Sequence, residues 1–549
     1  MPVAILLVLR VSPYFPLNNG DPFIYVGYAN DFRRHVARFG YTYHAVRFGL
    51  IFPLRASLWL GPVWGYFFLR YLLYLLAIIP LYLVLRPQGT RIAVFGVALF
   101  VANPVSAESI LTTYTDTIVV PVLCAVVCLM VFVYRHRGWK AAACAAVAGL
   151  LAGVSINTSI FSITLLGVSM GALCLVLLLA RRYADLFRCA ALFLAGILIV
   201  SVAGMLVYRH MFGDANIYRT TWAASREVKN DSMWRSPSLI WLSTRRYAYA
   251  PLLALLLGGV ALFRSRRVPR VAFLERLLIV GVLGACVGFY ALYQFLLEGN
   301  TIETAYYYAY VIGPTCLVVA AATGWMGRFD RVPIWVFVAT PVAIAYIAQT
   351  FALRRFVVFA IVTLLLCAVI VRSTRALVAG LAAIVAMNIA WGASPRVIAP
   401  IAGAGFQYEP HYERAFGDAS DTGFEAYMLA SKLPSVVPAP AHMPLLFWYR
   451  SGDGLLDSVQ ATYHWQTLTV QRSPESGMPA ITSDDLDRLR TLVGGFVVLI
   501  GRTNAEIDAG VNSLTAAGVS VGADMPTRHL HYGDSEVFVK PVPIVGVPN

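Results

Sequence analysis

The sequence predicts a polytopic α-helical membrane protein that carries a soluble α/β domain at its C-terminal end. Three observations predict it. The 549 residues are 59% hydrophobic and only 13% charged, with a mean hydropathy of +0.70, a balance outside any soluble globular class. Apolar runs of near-spanning length follow one another through the first 395 residues. From about Arg396 that pattern stops, and about 150 residues of mixed composition remain, enough for one soluble domain. The expected division is therefore 1–395 in the membrane and 396–549 outside it.

The net charge of +15 does not indicate a nucleic-acid partner. Much of the arginine sits in short loops between apolar runs, which is the bias of cytoplasmic loops. The eight cysteines, Cys124, Cys128, Cys144, Cys174, Cys189, Cys286, Cys316 and Cys367, lie in or beside apolar segments and read as small buried hydrophobes.

The first run, residues 2–11, falls short of the ~20 residues a spanning helix needs. No small-residue cleavage site follows, so no cleavable signal peptide is expected; either the true start lies upstream or Arg10 snorkels. A polar, aromatic-rich outer stretch runs from about 12 to 60. Within it, 25–39 carries Tyr28, Phe32, Val36 and Phe39 at helical spacing, predicting an amphipathic helix on the membrane surface. The next runs are 62–85, 92–105, 117–134, 141–154, 161–180, 190–207, 251–263, 278–297, 307–325, 332–349, 356–371 and 376–391. With the first, they give about 13 transmembrane helices. A second long outer stretch, about 208–249, mixes Arg219, Arg226, Lys229, Arg235, Arg245 and Arg246 with Trp222, Trp234 and Trp241, as suits the headgroup level.

Basic clusters fall in alternate loops: Arg86/Arg91, Arg135/Arg137/Lys140, Arg181/Arg182/Arg188, Arg264/Arg266/Arg267/Arg270, Arg328/Arg331 and Arg372/Arg375. Those loops are expected to be cytoplasmic. The intervening loops around Asp21, Glu108–Asp116, Asn157 and Glu298–Glu303 are expected outside, and helix parity places the tail there too; Arg354/Arg355 is the exception. In the tail, 444–449, 496–500 and 535–539 read as strands. Ser483-Asp-Asp-Leu opens a helix, and 505–517 reads as a second helix ended by Gly518.

Four pieces then fall in order. They are Gly20-Asp-Pro-Phe-Ile-Tyr25; Arg47-Phe48 with Phe52-Pro53; Asn103-Pro104 with Tyr114-Thr-Asp-Thr117; and Gly138-Trp139 with Ala148-Gly149 and Ala152-Gly153. On these pieces, about residues 15–160 resemble the GT-C superfamily of membrane glycosyltransferases, most of all the bacterial branch related to protein O-mannosyltransferases and aminoarabinose transferases. The short first run and the tail depart from that pattern. The resemblance implies a transferase that takes a sugar from a polyprenyl-phosphate-linked donor to a glycan, lipid or protein acceptor. It would work with inversion, at the periplasmic face of a bacterial inner membrane.

The residues suit such chemistry. A carboxylate must take the acceptor's proton, and cations must hold the phosphate leaving group. Asp21 is the expected general base, with a helix N-cap before Pro22 as its structural alternative. By resemblance Asp116 is a second acidic site residue, assisting the base or, with Asp21, holding a divalent metal ion; its alternative is an N-cap near Thr117. Arg245 and Arg246, with Arg219, are the expected donor-phosphate ligands. Asp31, Glu108, Glu303 and Tyr307 are secondary candidates: Asp31 as a solvated partner of Arg34 otherwise, and Tyr306–Tyr308 as a sugar-stacking surface or an aromatic belt. The scattered histidines give no metal-ligand spacing, and Asn157-Thr-Ser is a glycosylation sequon by letter only. The tail aromatics Phe447, Trp448, Tyr449, Tyr463 and Trp465 suit either a carbohydrate-binding module or a core. The alternative from another class is a transporter or flippase of lipid-linked sugars. It predicts charge at mid-membrane and a two-fold repeat, whereas this chain keeps its acids near helix ends.

Overall fold

A computed structural model gives the fold and describes, apart from isolated positions, residues 20–39, 44–111, 114–212, 217–230, 249–265, 268–296, 305–327, 332–350, 432–437, 444–448, 465–468, 481–532 and 535–548. The chain divides into two compact units, Met1–Pro13 with Tyr43–Pro400 and Tyr14–Thr42 with Ile401–Asn549.

The first unit is a helical bundle. Each of the ten apolar runs between residues 62 and 349 forms a helix: Pro62–Leu85, Thr90–Ala102, Thr115–Arg135, Gly138–Ile156, Ser162–Leu179, Tyr183–Phe212, Tyr249–Arg264, Arg270–Leu296, Ile312–Met326 and Ile334–Thr350. Among the described residues, seven helices are long and apolar enough to cross a membrane, or eight if a bent pair counts as one span. The first run and the runs at 356–371 and 376–391 lie outside the described residues, so the structure accounts for fewer than the thirteen expected. The Thr115–Arg135 helix is the axis of the bundle, with 89% of its spanning window buried, against 17% for Tyr183–His210. Leu194, Leu198, Ile199, Val202 and Leu206 of the latter are exposed, as an apolar face turned to lipid must be.

Packing between helices uses small residues. Lipid tails are as apolar as leucine, so helices in a bilayer gain little by burying leucines against each other and much by close backbone approach. Gly149 of the Gly138–Ile156 helix faces Gly196 of the Tyr183–Phe212 helix across such an approach. A Cβ at Gly149 would lie 2.2 Å from the Phe193 carbonyl oxygen, and one at Gly196 would lie 2.6 Å from the backbone of Gly149. The Phe48–Leu58 helix docks onto the same pair. Its Gly49 approaches the Val154 carbonyl, and the Phe48 ring rests on Gly204.

One end of the bundle gathers the basic loops. Arg182 donates to the carbonyls of Tyr134 and His136, each at 2.5 Å, and pairs with Asp185 at 2.7 Å. Arg135 pairs with Glu275 at 2.7 Å. Arg270 donates to the Leu179 carbonyl at 2.7 Å, and Arg91 to the Val332 carbonyl at 2.5 Å. Loops that sequence assigned to one side therefore bind one another.

In the second unit, the expected single helix over 25–39 is two, Gly20–Asn30 and Phe32–Phe39. They meet at Asp31, whose carbonyl accepts from the His35 N–H at 2.9 Å. Tyr28, Phe32 and His35 are buried, and the His35 ring packs edge-on against Tyr28 at 4.4 Å between centroids. The aromatic residues on the expected apolar face thus pack on one another. The tail forms a mixed sheet from β1 (Leu445–Trp448), β2 (Gln466–Thr467), β3 (Phe496–Gly501), β4 (Ser520–Val521), β5 (Arg528–Tyr532) and β6 (Ser535–Gly546). β1 is parallel to β2 and β3, while β6 is antiparallel to β3, β4 and β5. Alternation sends Val498, Ile500, Val537 and Val539 into one core and Val497, Leu499, Val542 and Ile544 into the other. The helix Ser483–Arg490 is capped by Thr482, one residue before the expected start, through a reciprocal bond with Asp485. Asn504–Ala516 ends, as expected, before Gly518 at φ +76°. Trp465 is core. Tyr449 and Tyr463 lie outside the described residues.

Gly149→Ala should lower the thermal unfolding midpoint in detergent, at a cost of about 1–3 kcal/mol for overpacking. Gly167→Ala, where a Cβ meets nothing within 4 Å, should be neutral or slightly stabilising. Equal midpoints for the two variants would count against the backbone contact.

Candidate active site

The end of the bundle away from the basic loops is built by a helix break. Pro104 offers no N–H to the Thr90–Ala102 helix and disfavours helical backbone at Asn103. Asn103 is extended, at φ −69° and ψ 121°, and its Oδ1 accepts from the Ser106 N–H at 3.1 Å. A new helix, Pro104–Leu111, starts there and runs at 68° to the one before. The stretch around Glu108 was expected as an outer loop; the Asn-Pro pair makes it helical instead. Ser106, fixed by the carbonyls of Phe100 and Asn103, and Ser109 are both buried.

The chain then turns into the Thr115–Arg135 helix. Tyr114 precedes it, with its N–H donating to Thr117 Oγ1 at 3.1 Å and the Arg47 guanidinium 6.0 Å from its ring centre. Asp116 is thus inside the first turn rather than the N-cap considered from sequence. Its side chain is 1% exposed. The Ser109 hydroxyl and the backbone N–H groups of Asp116 and Thr117 lie beside its carboxylate, where the helix N-terminus favours negative charge. Among the described residues its Oδ1 has no hydrogen-bond partner and it forms no ion pair. A buried carboxylate with one idle oxygen is expensive, and near a membrane that cost marks a functional group.

Two further segments complete the surroundings. Ala305–Tyr308 is helical and continues as a 3-10 turn, Ala309–Val311. Its Tyr310 hydroxyl lies 3.4 Å from Thr115 Oγ1, is bonded to Ser159 and feels the Asp116 charge. Phe161 packs on Tyr307 at 5.0 Å and on Tyr290 at 5.8 Å, and the Tyr290 hydroxyl donates to the Tyr307 carbonyl. The tyrosines at 307–310 pack into the bundle and not around it as an aromatic belt. Asn157, dismissed as a sequon, is a hub. It donates to the Gly153 carbonyl at 2.7 Å and to Ser201 Oγ at 3.1 Å, and it accepts from the Tyr218 hydroxyl at 2.8 Å.

Of the expected site residues, the structure therefore brings Asp116 and Tyr307 to one end of the bundle. Asp21 belongs to the other unit, inside the Gly20–Asn30 helix rather than capping it; for Asp21 and Glu108 only the backbone belongs to the described part. Asp31 is exposed between two helices of that unit. Arg245, Arg246 and Glu303 lie outside the described residues. Arg219 is exposed on the Ile217–Asn230 helix. Ser109 and Tyr310 were not singled out from sequence, and Thr115 and Ser159 stood only inside quoted motifs without a role; hydroxyl residues at helix ends carry no spacing that distinguishes them. Among the described residues no three or more His, Cys, Asp or Glu side chains come together; the Asp21 side chain, considered with Asp116 for a divalent ion, lies outside them.

Comparison with solved structures decides the fold. The chain superposes on ArnT of Cupriavidus metallidurans bound to undecaprenyl phosphate with a TM-score of 0.53, covering 98% of this chain and 97% of that one at 14% identity. The same enzyme in the apo state gives 0.53, with 99% and 97% covered at 13% identity. ArnT is an aminoarabinose transferase, a GT-C glycosyltransferase. The chain has the GT-C fold. No protein-family model and no curated protein matches it in sequence. Within this GT-C fold, Asp116 stands at the end of the central helix, beside the Ser109 hydroxyl and near Tyr310, whose ring meets Phe161.

Asp116→Asn keeps the shape and the Ser109 contact but removes the buried charge. It should hold or raise the thermal midpoint, as at functional sites that carry a stability cost. A clear drop would show a structural carboxylate.

Proposed function

We propose that this protein is a glycosyltransferase of a bacterial inner membrane. It moves a sugar from a polyprenyl-phosphate-linked donor to a glycan, lipid or protein acceptor at the periplasmic face. The observation that carries the proposal is the buried Asp116 carboxylate with an idle oxygen, at the polar end of a bundle with the GT-C fold. Two supports join it. The ArnT neighbour is bound to undecaprenyl phosphate. The basic loops gather at the other end, so the positive-inside bias puts Asp116 on the outer side.

The reaction is a single displacement. An acceptor hydroxyl loses its proton to a carboxylate, its oxygen bonds to the anomeric carbon, and the carbon–phosphate oxygen bond breaks with inversion. Asp21 takes the proton. Asp116 orients the acceptor or the sugar hydroxyls through its free oxygen, with Tyr310, Thr115 and Ser159 fixing the turn that carries it. Arg245 and Arg246, at the membrane re-entry of the long outer stretch, neutralise the leaving phosphate. Aromatic rings at Phe161 and Tyr307 give the sugar an apolar wall.

The test is transfer from a lipid-linked sugar in membranes, comparing wild type with Asp21→Asn and Asp116→Asn. Loss of a positioned base costs about 10²–10⁴ in rate, so Asp21→Asn should fall by that range at normal expression, and Asp116→Asn by at least tenfold. Full activity in either variant removes that residue from the mechanism. Transbilayer movement of the lipid-linked sugar with no glycoside product would favour the flippase instead. A reporter fused after Asn549 should be active only on the periplasmic side.

A further inference from the structure

The helix Ile217–Asn230 has a face that the transfer chemistry does not use. Arg219, Trp222 and Arg226 are spaced three and four apart and so share one side of it. All three are exposed, Trp222 at 57%, and the Arg226 guanidinium lies 5.6 Å from the Trp222 ring centre. Ile217, on the opposite side, is 2% exposed. At about 100° per residue, Ile217 and the basic stripe lie well over a quarter-turn apart. One face is thus docked on protein while the other carries Trp222, with the Arg226 guanidinium at its ring and Arg219 one turn earlier on the same side.

The depth of this stripe is fixed by bonds. The Tyr218 hydroxyl donates to Asn157 Oδ1 at 2.8 Å, and Asn157 is the residue that ends the Gly138–Ile156 span. The Ile217 end also follows shortly after the long span Tyr183–His210. The stripe therefore sits at the edge of the hydrocarbon, where indole rings settle and lipid phosphates lie. Guanidinium groups pair with phosphate oxygens in bidentate fashion, and an indole holds a guanidinium over its face.

We propose that Arg219, Trp222 and Arg226 form a docking surface for anionic phospholipid headgroups of the surrounding outer leaflet. This moves Arg219 from the donor-phosphate set to a lipid-facing role. The surface levels the outer helix against the membrane, with Tyr218–Asn157 as its tie to the bundle. It stands apart from the proposed transfer reaction: loss of activity at Asp116 leaves it untouched.

Full-length protein in phosphatidylcholine vesicles tests it. Roughly one tenth of the lipid is replaced by phosphatidylglycerol or by phosphatidylcholine with brominated acyl chains, which quench nearby indoles; the difference between wild type and Trp222→Phe isolates the Trp222 share. Brominated phosphatidylglycerol should quench that share more strongly than brominated phosphatidylcholine. The preference should fall about fivefold for each arginine removed in Arg219→Ala and Arg226→Ala and shrink in high salt. Arg219→Lys with Arg226→Lys should keep most of it, which separates lost charge from lost structure. Equal quenching by the two lipids in wild type, or an unchanged preference in the double alanine variant, overturns the proposal. So does a preference abolished by trace undecaprenyl phosphate, which would make the stripe the donor's own site.

Discussion

A carboxylate held out of water at the end of an apolar bundle must be supported, and the support around Asp116 accounts for much of the local architecture. Its stabilising groups are few: the Ser109 hydroxyl and the N–H groups of its own helix start. For Ser109 to reach it, the chain must double back just before the Thr115–Arg135 helix. The Asn103–Pro104 break does this by stopping one helix and capping the next at 68°. Neither a straight helix nor an open loop would set a buried hydroxyl beside the carboxylate while keeping the backbone polar groups paired, which a bilayer requires.

The same requirement explains why distant segments meet. Thr115 and Ser159 both need partners where they are buried, and Tyr310 supplies its hydroxyl to each. Its ring side meets Phe161, which in turn stacks against Tyr290 and Tyr307. One tyrosine so joins three parts of the chain through polar and apolar contacts at once. At the opposite end, arginines do the corresponding job by closing carbonyls at helix ends, as Arg182 does for Tyr134 and His136. Charge sorted by the membrane thereby also fastens the loops of each end together. Exposed ion pairs are worth little singly, but Arg135 and Arg182 are partly buried, and Arg182 also donates to otherwise idle carbonyls at a helix end.

The bundle was legible because hydrophobic run length is a strong signal: each of ten runs from 62–85 to 332–349 is a helix. The grouping of the basic loops at one end was legible too, since they do bind one another. The tail was readable from alternation and from caps, Thr482 with Asp485 and Gly518 at positive φ. Less was visible of the site. Asp116 stood out as an acid, but its neighbours Ser109, Thr115 and Ser159 are hydroxyls that look alike anywhere in a helix end. The Asn-Pro pair was quoted as a motif without its consequence, a second helix. Over 25–39, periodicity was right and the single helix was not: Tyr28, Phe32 and His35 share a face and pack on each other across a break at Asp31.

Likeness to ArnT at 14% identity shows how little of a membrane fold depends on particular residues. What persists is the fold, and in this chain the bilayer and backbone enforce it through apolar runs of near-spanning length and small residues where helices touch. Such constraints set a scaffold and leave its chemistry open, because one fold hosts many sites. The chemistry has to be read where the constraints are violated. In this chain one such violation within the bundle is an acid at 1% exposure with an oxygen that no described residue satisfies. An apolar residue would pack there at lower cost, so the retained carboxylate points to a partner that arrives with the substrate. In the proposed transfer that partner is a hydroxyl of the sugar or of its acceptor, which donates a hydrogen bond to Asp116 while Asp21 takes the proton.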